Sequence, residues 1–217
     1  MWESADLARL FATPVWSGCQ SPHRRPAPGS FIIRDEKFWL PLIAVFSGLR
    51  QEEICQLQIS DIKCEQGIWY FDVNDEPPRK LKNRTAVRLV PIHSELVRSG
   101  FLGHVEEQRK NNQVRVFSEL KPGGADRRLG HGFTKWFSRY RQENGIYRPG
   151  LDFHSFRHSA TTFMHRAGVG DSIIDRVTGH ATPGETSRYT KGSDLRQLQQ
   201  AIEAIAPGVD LAWLRLA

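Results

Sequence analysis

No run of about 18 or more apolar residues occurs in this 217-residue chain, so a membrane-spanning helix is not expected. Cysteine is scarce. Cys19, Cys55 and Cys64 are an odd number with no metal-ligand spacing, which points to a reduced cytosolic protein with free thiols. The opening, MWESADLARLF, lacks the charged-then-apolar layout of a signal peptide. Internal repeats and low-complexity tracts are absent as well. What is present is the composition of a globular protein, 39% hydrophobic and 25% charged. The length suits one sizeable domain, or one domain with a short flanking arm. A net charge of +6 and a pI of about 9.5 lean toward a polyanionic partner.

Periodicity predicts a mainly α chain with one small antiparallel β-sheet, an α+β class. A short helix is expected over residues 1–10, then a loop over 13–30, rich in Pro, Ser, Gly and Arg. Phe38–Phe46 reads as a buried helix that starts or kinks near Pro41. A second helix is expected from about Gln51 to Leu57. The stretches IWYFDV (68–73) and AVRLVPI (86–92) read as strands joined by the basic connection NDEPPRKLKNRT. Further helices are expected at 94–110, 131–142, 155–167, 171–178 and 194–205.

Three clusters hold residues able to do chemistry. SGLRQEEICQLQISDI contains Arg50; DFHSFRHS contains His154, Arg157 and His158; TGHATPGETSRYTKG contains His180 and Tyr189. The basic connection adds Lys80 and Lys82. Each has an ordinary explanation. Arg50 can pair with Glu53, a lone tyrosine is usually a packing residue, and His154 and His158 at i, i+4 could hold a metal. No acidic residue lies between those two histidines, however, and no third ligand is clearly placed. Together the residues suit phosphodiester transfer. Two arginines can grip non-bridging oxygens with forked, charge-assisted hydrogen bonds. Imidazoles can take a proton from a nucleophile, and a lysine can protonate a leaving oxygen. No metal is needed for this set.

The order and spacing resemble the tyrosine recombinases of the phage integrase family. SGLRQEE resembles the first arginine motif, with Glu53 in the acidic place. HSFR matches the His-x-x-Arg box through His154 and Arg157. Gly179-His180 resembles the second histidine motif, and Tyr189 follows by nine residues. The resemblance runs from about residue 36 to 192. It implies a catalytic domain over 36–192, a preceding arm or interdomain remnant over 1–35, and a C-terminal helix and tail over 193–217. It implies a nucleophile, Tyr189, that forms a 3′-phosphotyrosyl bond with double-stranded DNA and needs neither cofactor nor ATP. Arg50 and Arg157 would grip the phosphate, His154 would assist proton transfer, and His180 would hydrogen-bond the phosphate or its surroundings. Lys82, nine residues before Pro91, is favoured over Lys80, at eleven, as the proton donor.

Val177-Thr178 departs mildly from the apolar pair that usually precedes Gly-His. Complete family members also carry an N-terminal helical domain, whereas only about 35 residues precede the match here, so a fragment lacking that domain is expected. Candidates for contact with DNA phosphates are Arg79, Lys80, Lys82 and Arg84, and Arg127, Arg128, Lys135, Arg139 and Arg141, each with the ordinary alternative of a solvated surface charge. The tail, 194–217, would expose Leu211, Trp213, Leu214 and Leu216 unless covered. Two destinations stay open for it: its own domain, or a neighbouring protomer in a tetramer on paired sites.

Overall fold

A computed structural model describes residues 1–81, 86–180 and 193–214 (193 and 194 as backbone alone). Ten α-helices and two small antiparallel sheets are seen among these residues. The class is the one the sequence pattern implied. The chain begins with α1 (Ser4–Phe11) and α2 (Pro14–Ser17), then the ribbon β1 (Cys19–Ser21) and β2 (Arg24–Pro28). The expectation of a loop over 13–30 is thereby corrected. Pro14 sits at the first helical position, where no N–H is needed. Pro26 and Pro28 sit in a two-stranded ribbon, where proline is tolerated. Val15, Trp16 and Cys19 are fully buried.

The centre of the molecule is α3 (Glu36–Ser47). Every residue from Phe38 to Ser47 is buried, as expected for a helix that is apolar all round. The Asp35 carboxylate caps it, accepting from the N–H groups of Lys37 (3.0 Å) and Phe38 (3.3 Å). The helix neither starts nor breaks at Pro41, which lies inside it. It stops at Gly48, whose φ of 66° is left-handed; a Cβ there would also press within 3.4 Å of Ala160. Short α4 (Gln51–Cys55) follows at once.

A three-stranded antiparallel sheet comes next: β3 (Ile62–Glu65), β4 (Ile68–Val73) and β5 (Arg88–Pro91). Its two faces explain why IWYFDV alternates poorly. Phe71 and Val73 enter the main core, while Ile68 and Tyr70 are covered by Leu195 of α10 (Ser193–Glu203). The single helix expected over 94–110 is two, α5 (Ser94–Arg98) and α6 (Phe101–Lys110), because Gly100 between them has φ 90°. The remaining helices are α7 (His131–Glu143), α8 (Ser155–Arg166) and α9 (Asp171–Thr178).

Both ends of the chain pack on this frame. The Trp2 ring stacks on Phe156 at 4.9 Å, and its indole N–H donates to the Asp152 carbonyl (2.9 Å). The described part of the tail folds back on its own domain. Leu198, Ile202, Ile205, Leu211 and Leu214 are buried in the main core, and the Glu203 carboxylate accepts from Ser94 Oγ (2.7 Å) and the Ser94 N–H (2.8 Å). Trp213 stays 45% exposed. No helix among the described residues is long and apolar enough to cross a membrane.

Candidate active site

Arg50, Glu53 and Gln56 lie three apart along α4, which puts them on one side of it. The Arg50 guanidinium donates to Glu53 Oε1 (2.8 Å), and the Arg50 N–H donates to Oε2 (2.9 Å). Arg88 of β5 approaches the same carboxylate from the other side, with Nη2–Oε2 at 2.8 Å and Nη1–Oε1 at 3.2 Å. Its Nε and Nη1 also donate to the Val177 and Ala86 carbonyls, each at 2.7 Å. The helix is docked onto the start of α7 by its neighbours. The Glu52 carboxylate accepts from the N–H groups of Leu129 (2.8 Å) and Gly130 (2.9 Å), and Gln51 donates to the Gly130 carbonyl (2.8 Å).

Arg157, the third residue of α8, is almost wholly buried. Its Nη1 donates to the Gly48 carbonyl at the end of α3 (2.9 Å), and its Nη2 donates to the Thr178 carbonyl at the end of α9. Both acceptors are helix C-termini, where partial negative charge favours a cation. Gly179, with a left-handed φ of 69°, ends α9 just after Thr178. A Cβ there would lie 3.1 Å from an Arg88 nitrogen. His180 follows directly. Its N–H donates to the Asp175 carbonyl (3.0 Å), and its Nδ1 is turned back to Thr178 Oγ1 (3.3 Å) and Asp175 Oδ1 (3.6 Å). His154, at the N-cap of α8, is exposed one turn before Arg157.

Electrostatics tie these residues into one site. Burial, then repulsion from Arg50 and Arg88, pushes the Arg157 pKa down to about 9. Burial lowers that of His154, and His158, Arg157 and Arg50 push the same way. Burial and then Arg157 lower that of His180, against the pull of Asp175. Both shifts favour the neutral imidazole, the form able to accept a proton. Burial alone would raise the Glu53 carboxyl, but Arg88 and Arg50 outweigh it and hold it below the ordinary carboxylate range. Arg50 and Arg88 thus share the Glu53 carboxylate, and the buried Arg157, which feels both arginines as well as Glu53 and Asp175, adds a third cation; this clustering of positive charge suits a bound anion.

The site opens into a groove of about 1500 Å³ whose walls include Arg50, Lys80, Arg127, Arg128, Lys135 and His154. Among the candidate phosphate contacts, two are corrected. Arg79 is buried in an ion pair with Asp61 (2.8 Å). Arg141 is buried against Phe137, with its guanidinium donating to the Leu151 carbonyl. Arg139 is exposed. Lys82, Arg84 and Tyr189 lie outside the described residues. The His154 and His158 rings meet edge to face at 4.9 Å, but no group of three or more metal-ligating side chains comes together among the described residues. Arg88 and Gln56 are the site residues that the sequence reading missed; an arginine inside an apolar strand was the available signal for the first.

Glu53→Gln isolates this logic. Removing one partner of a buried pair costs about 3–5 kcal/mol, because the other charge stays buried. At about 2–4 °C per kcal/mol for a chain of this size, Tm should fall by roughly 10 °C at neutral pH. The Glu53 carboxyl titrates lower in the folded chain than in the unfolded one. Its stabilisation is present above the unfolded value and is lost as pH falls through the folded one. The gap in Tm between wild type and variant should therefore close in acid. A gap that stays constant with pH would show that the charge of Glu53 contributes nothing.

The phage integrase family model matches residues 30–196 of the chain. Over 171 residues the chain is 28% identical to the tyrosine recombinase XerA of Pyrococcus horikoshii, covering 79% of this chain and 54% of that protein. Identity to the XerA of Pyrococcus furiosus is 27% over the same length and coverage. The chain spans about half the length of these curated relatives. Two solved structures of the XerH site-specific recombinase share the fold. The post-cleavage complex with palindromic difH substrate gives a TM-score of 0.53 at 19% identity. The pre-cleavage complex with difH substrate gives 0.55 at 20% identity. Each match covers 83% of this chain and 46% of the other.

Proposed function

The chain belongs to the phage integrase family, and we propose that it breaks and rejoins double-stranded DNA through a covalent 3′-phosphotyrosyl intermediate, without metal or ATP. The observation that supports this most is the pairing of Arg50 and Arg88 on the Glu53 carboxylate with the buried Arg157 close enough to feel both, and with His154 and His180, whose pKa values are pushed down, in the same electrostatic group. Such a site attracts a phosphate and has bases ready for a nucleophile.

In this reading the Tyr189 hydroxyl oxygen attacks the scissile phosphorus while its proton passes to an imidazole, His154 being the first choice. The bond from phosphorus to the 5′-oxygen breaks, and its electron pair leaves on that oxygen. A lysine of the basic connection, Lys82 before Lys80, gives the oxygen a proton. Arg50 and Arg157 hold the non-bridging oxygens as charge grows on them. Because the phosphotyrosyl bond keeps the phosphodiester's energy, attack by another 5′-hydroxyl reverses the sequence and rejoins DNA. The chain would act on DNA in the cytoplasm. Exchange between two sites calls for several copies, a tetramer on paired sites. Of the tail's described apolar residues, Leu211 and Leu214 are buried on their own chain, which leaves Trp213 to meet a neighbour.

The test is covalent capture. The chain is incubated with a random-sequence library of nicked duplexes in chelator, and the products are separated under denaturing conditions. A protein–DNA band that resists denaturation and forms in chelator is expected. A chain that binds the library but never yields such a band would be a DNA-binding module instead. A band that needs divalent metal would transfer the chemistry to another class.

A further inference from the structure

We propose that Gln56 is a positioning residue for the lysine that protonates the leaving oxygen, its side-chain amide clamping the start of the basic turn onto the helix that carries Arg50. The proposal rests on the general-acid reading given above. Gln56 follows α4 directly and is buried. Its Oε1 accepts from the Lys80 N–H (3.0 Å), and its Nε2 donates to the Lys80 carbonyl (3.1 Å). One side chain thus pairs with both polar groups of one residue's backbone, as a neighbouring strand would. The Lys80 side chain is left exposed in the groove shared by Arg50 and His154.

The residue before it is fixed separately. Arg79 donates to Asp61 Oδ1 and Asn74 Oδ1, both at 2.8 Å. On the far side, Arg88 is held by Glu53, one turn earlier on α4. The helix α4 therefore grips the chain at residue 80 and again at residue 88, and residues 82–85 lie between the two grips in sequence. A proton donor must reach the leaving oxygen to within hydrogen-bond distance while Arg50 holds the same phosphate. Mounting both on a single helix fixes their separation. Neither grip uses the Lys80 side chain, which stays free to reach into the groove.

A merely structural Gln56 would slow every substrate alike; a positioning one would not. The full chain is compared with Gln56→Ala, Gln56→Glu, Lys80→Ala, Lys82→Ala and Arg157→Met on a nicked duplex whose site is first selected by covalent capture. That duplex is made with oxygen or with sulfur at the bridging 5′ position. A thiolate leaves without needing a proton. Gln56→Ala should cleave the oxygen substrate up to about 10²-fold more slowly, the loss that a misplacement of about 1 Å of a catalytic group can cause. It should regain most of that rate on sulfur. Gln56→Glu should behave alike, because its carboxylate accepts from the Lys80 N–H but repels the Lys80 carbonyl. Arg157→Met should not be rescued. If a lysine variant is rescued and Gln56→Ala is not, the clamp is refuted and the general acid stands. If neither lysine variant is rescued, the general-acid reading is lost and the clamp with it. Hydrogen exchange gives an independent readout without DNA. The Lys80 amide should exchange faster in Gln56→Ala while those of α8 keep their rates; unchanged exchange at Lys80 overturns the proposal.

Discussion

Replacing Tyr189 with Phe should reduce the covalent adduct below detection and leave DNA affinity within about twofold. Only a hydroxyl is removed, and affinity for DNA comes mainly from cations on phosphates, here those lining the groove. Denaturing electrophoresis measures the adduct, and a filter-binding or anisotropy titration measures affinity. The other tyrosines are poor substitutes for physical reasons. Tyr140 is buried, its hydroxyl donates to Thr13 Oγ1 (2.6 Å) and accepts from the Val15 N–H (3.0 Å), and burial pushes its pKa to about 12. Tyr70 is covered by Leu195, and burial raises its pKa as well. Tyr147 is exposed and lies against Arg141, so it is the first to test if an adduct persists in Tyr189→Phe. Persistence of the adduct would remove Tyr189 from the chemistry.

The parts of the site that were legible in the sequence are those whose meaning is local. His154 and Arg157 are three apart on one helix, and Gly179-His180 ends another. Residues that act through distant partners were not legible. Arg88 meets Glu53 across 35 positions, and Gln56 meets Lys80 across 24. Nothing in a linear pattern distinguishes such an arginine from one facing solvent, which is also why the buried Arg79 and Arg141 stood among the candidate phosphate contacts. The fold shows the same division. Long periodic helices such as α7 and α10 were readable, because one apolar face against one polar face is a strong signal. Strand β3 was not, because Lys63, Cys64 and Glu65 are exposed and give no alternation. Its turn did carry a signal. Gln66 and Gly67 have φ of 52° and 79°, the pair of positive values that a two-residue hairpin loop demands. The ribbon within 13–30 was hidden for another reason: its elements are three to five residues long and depend on tertiary contacts for their stability.

Arg157→Met should separate catalysis from stability more sharply than any other substitution in the site. The Arg157 charge is held at a cost in the free protein. Burial, Arg50 and Arg88 all oppose it, which is why its pKa lies near 9 and not in the ordinary arginine range. The folded-state value lies below the unfolded one, so this cost is fully present at neutral pH, where the group is charged in both states. Methionine fills much of the same space without charge. It relieves that cost but leaves the Gly48 and Thr178 carbonyls without their donor, a loss of about 1–3 kcal/mol for each buried group left unpaired. The two effects oppose each other, and replacing buried charge with apolar volume is often near neutral. Net destabilisation should stay within about 2 kcal/mol, or roughly 4–8 °C in Tm. Cleavage has no such compensation. An arginine that stabilises phosphoryl charge is worth about 10³–10⁵ in rate, and that loss should appear in full. A neutral methylphosphonate at the scissile position carries no non-bridging charge to hold, so on that substrate the variant should come much closer to wild type. An Arg157→Met protein that fails to fold, or one whose defect is equally large on methylphosphonate, would make Arg157 a strut between the ends of α3 and α9 and not a phosphate ligand.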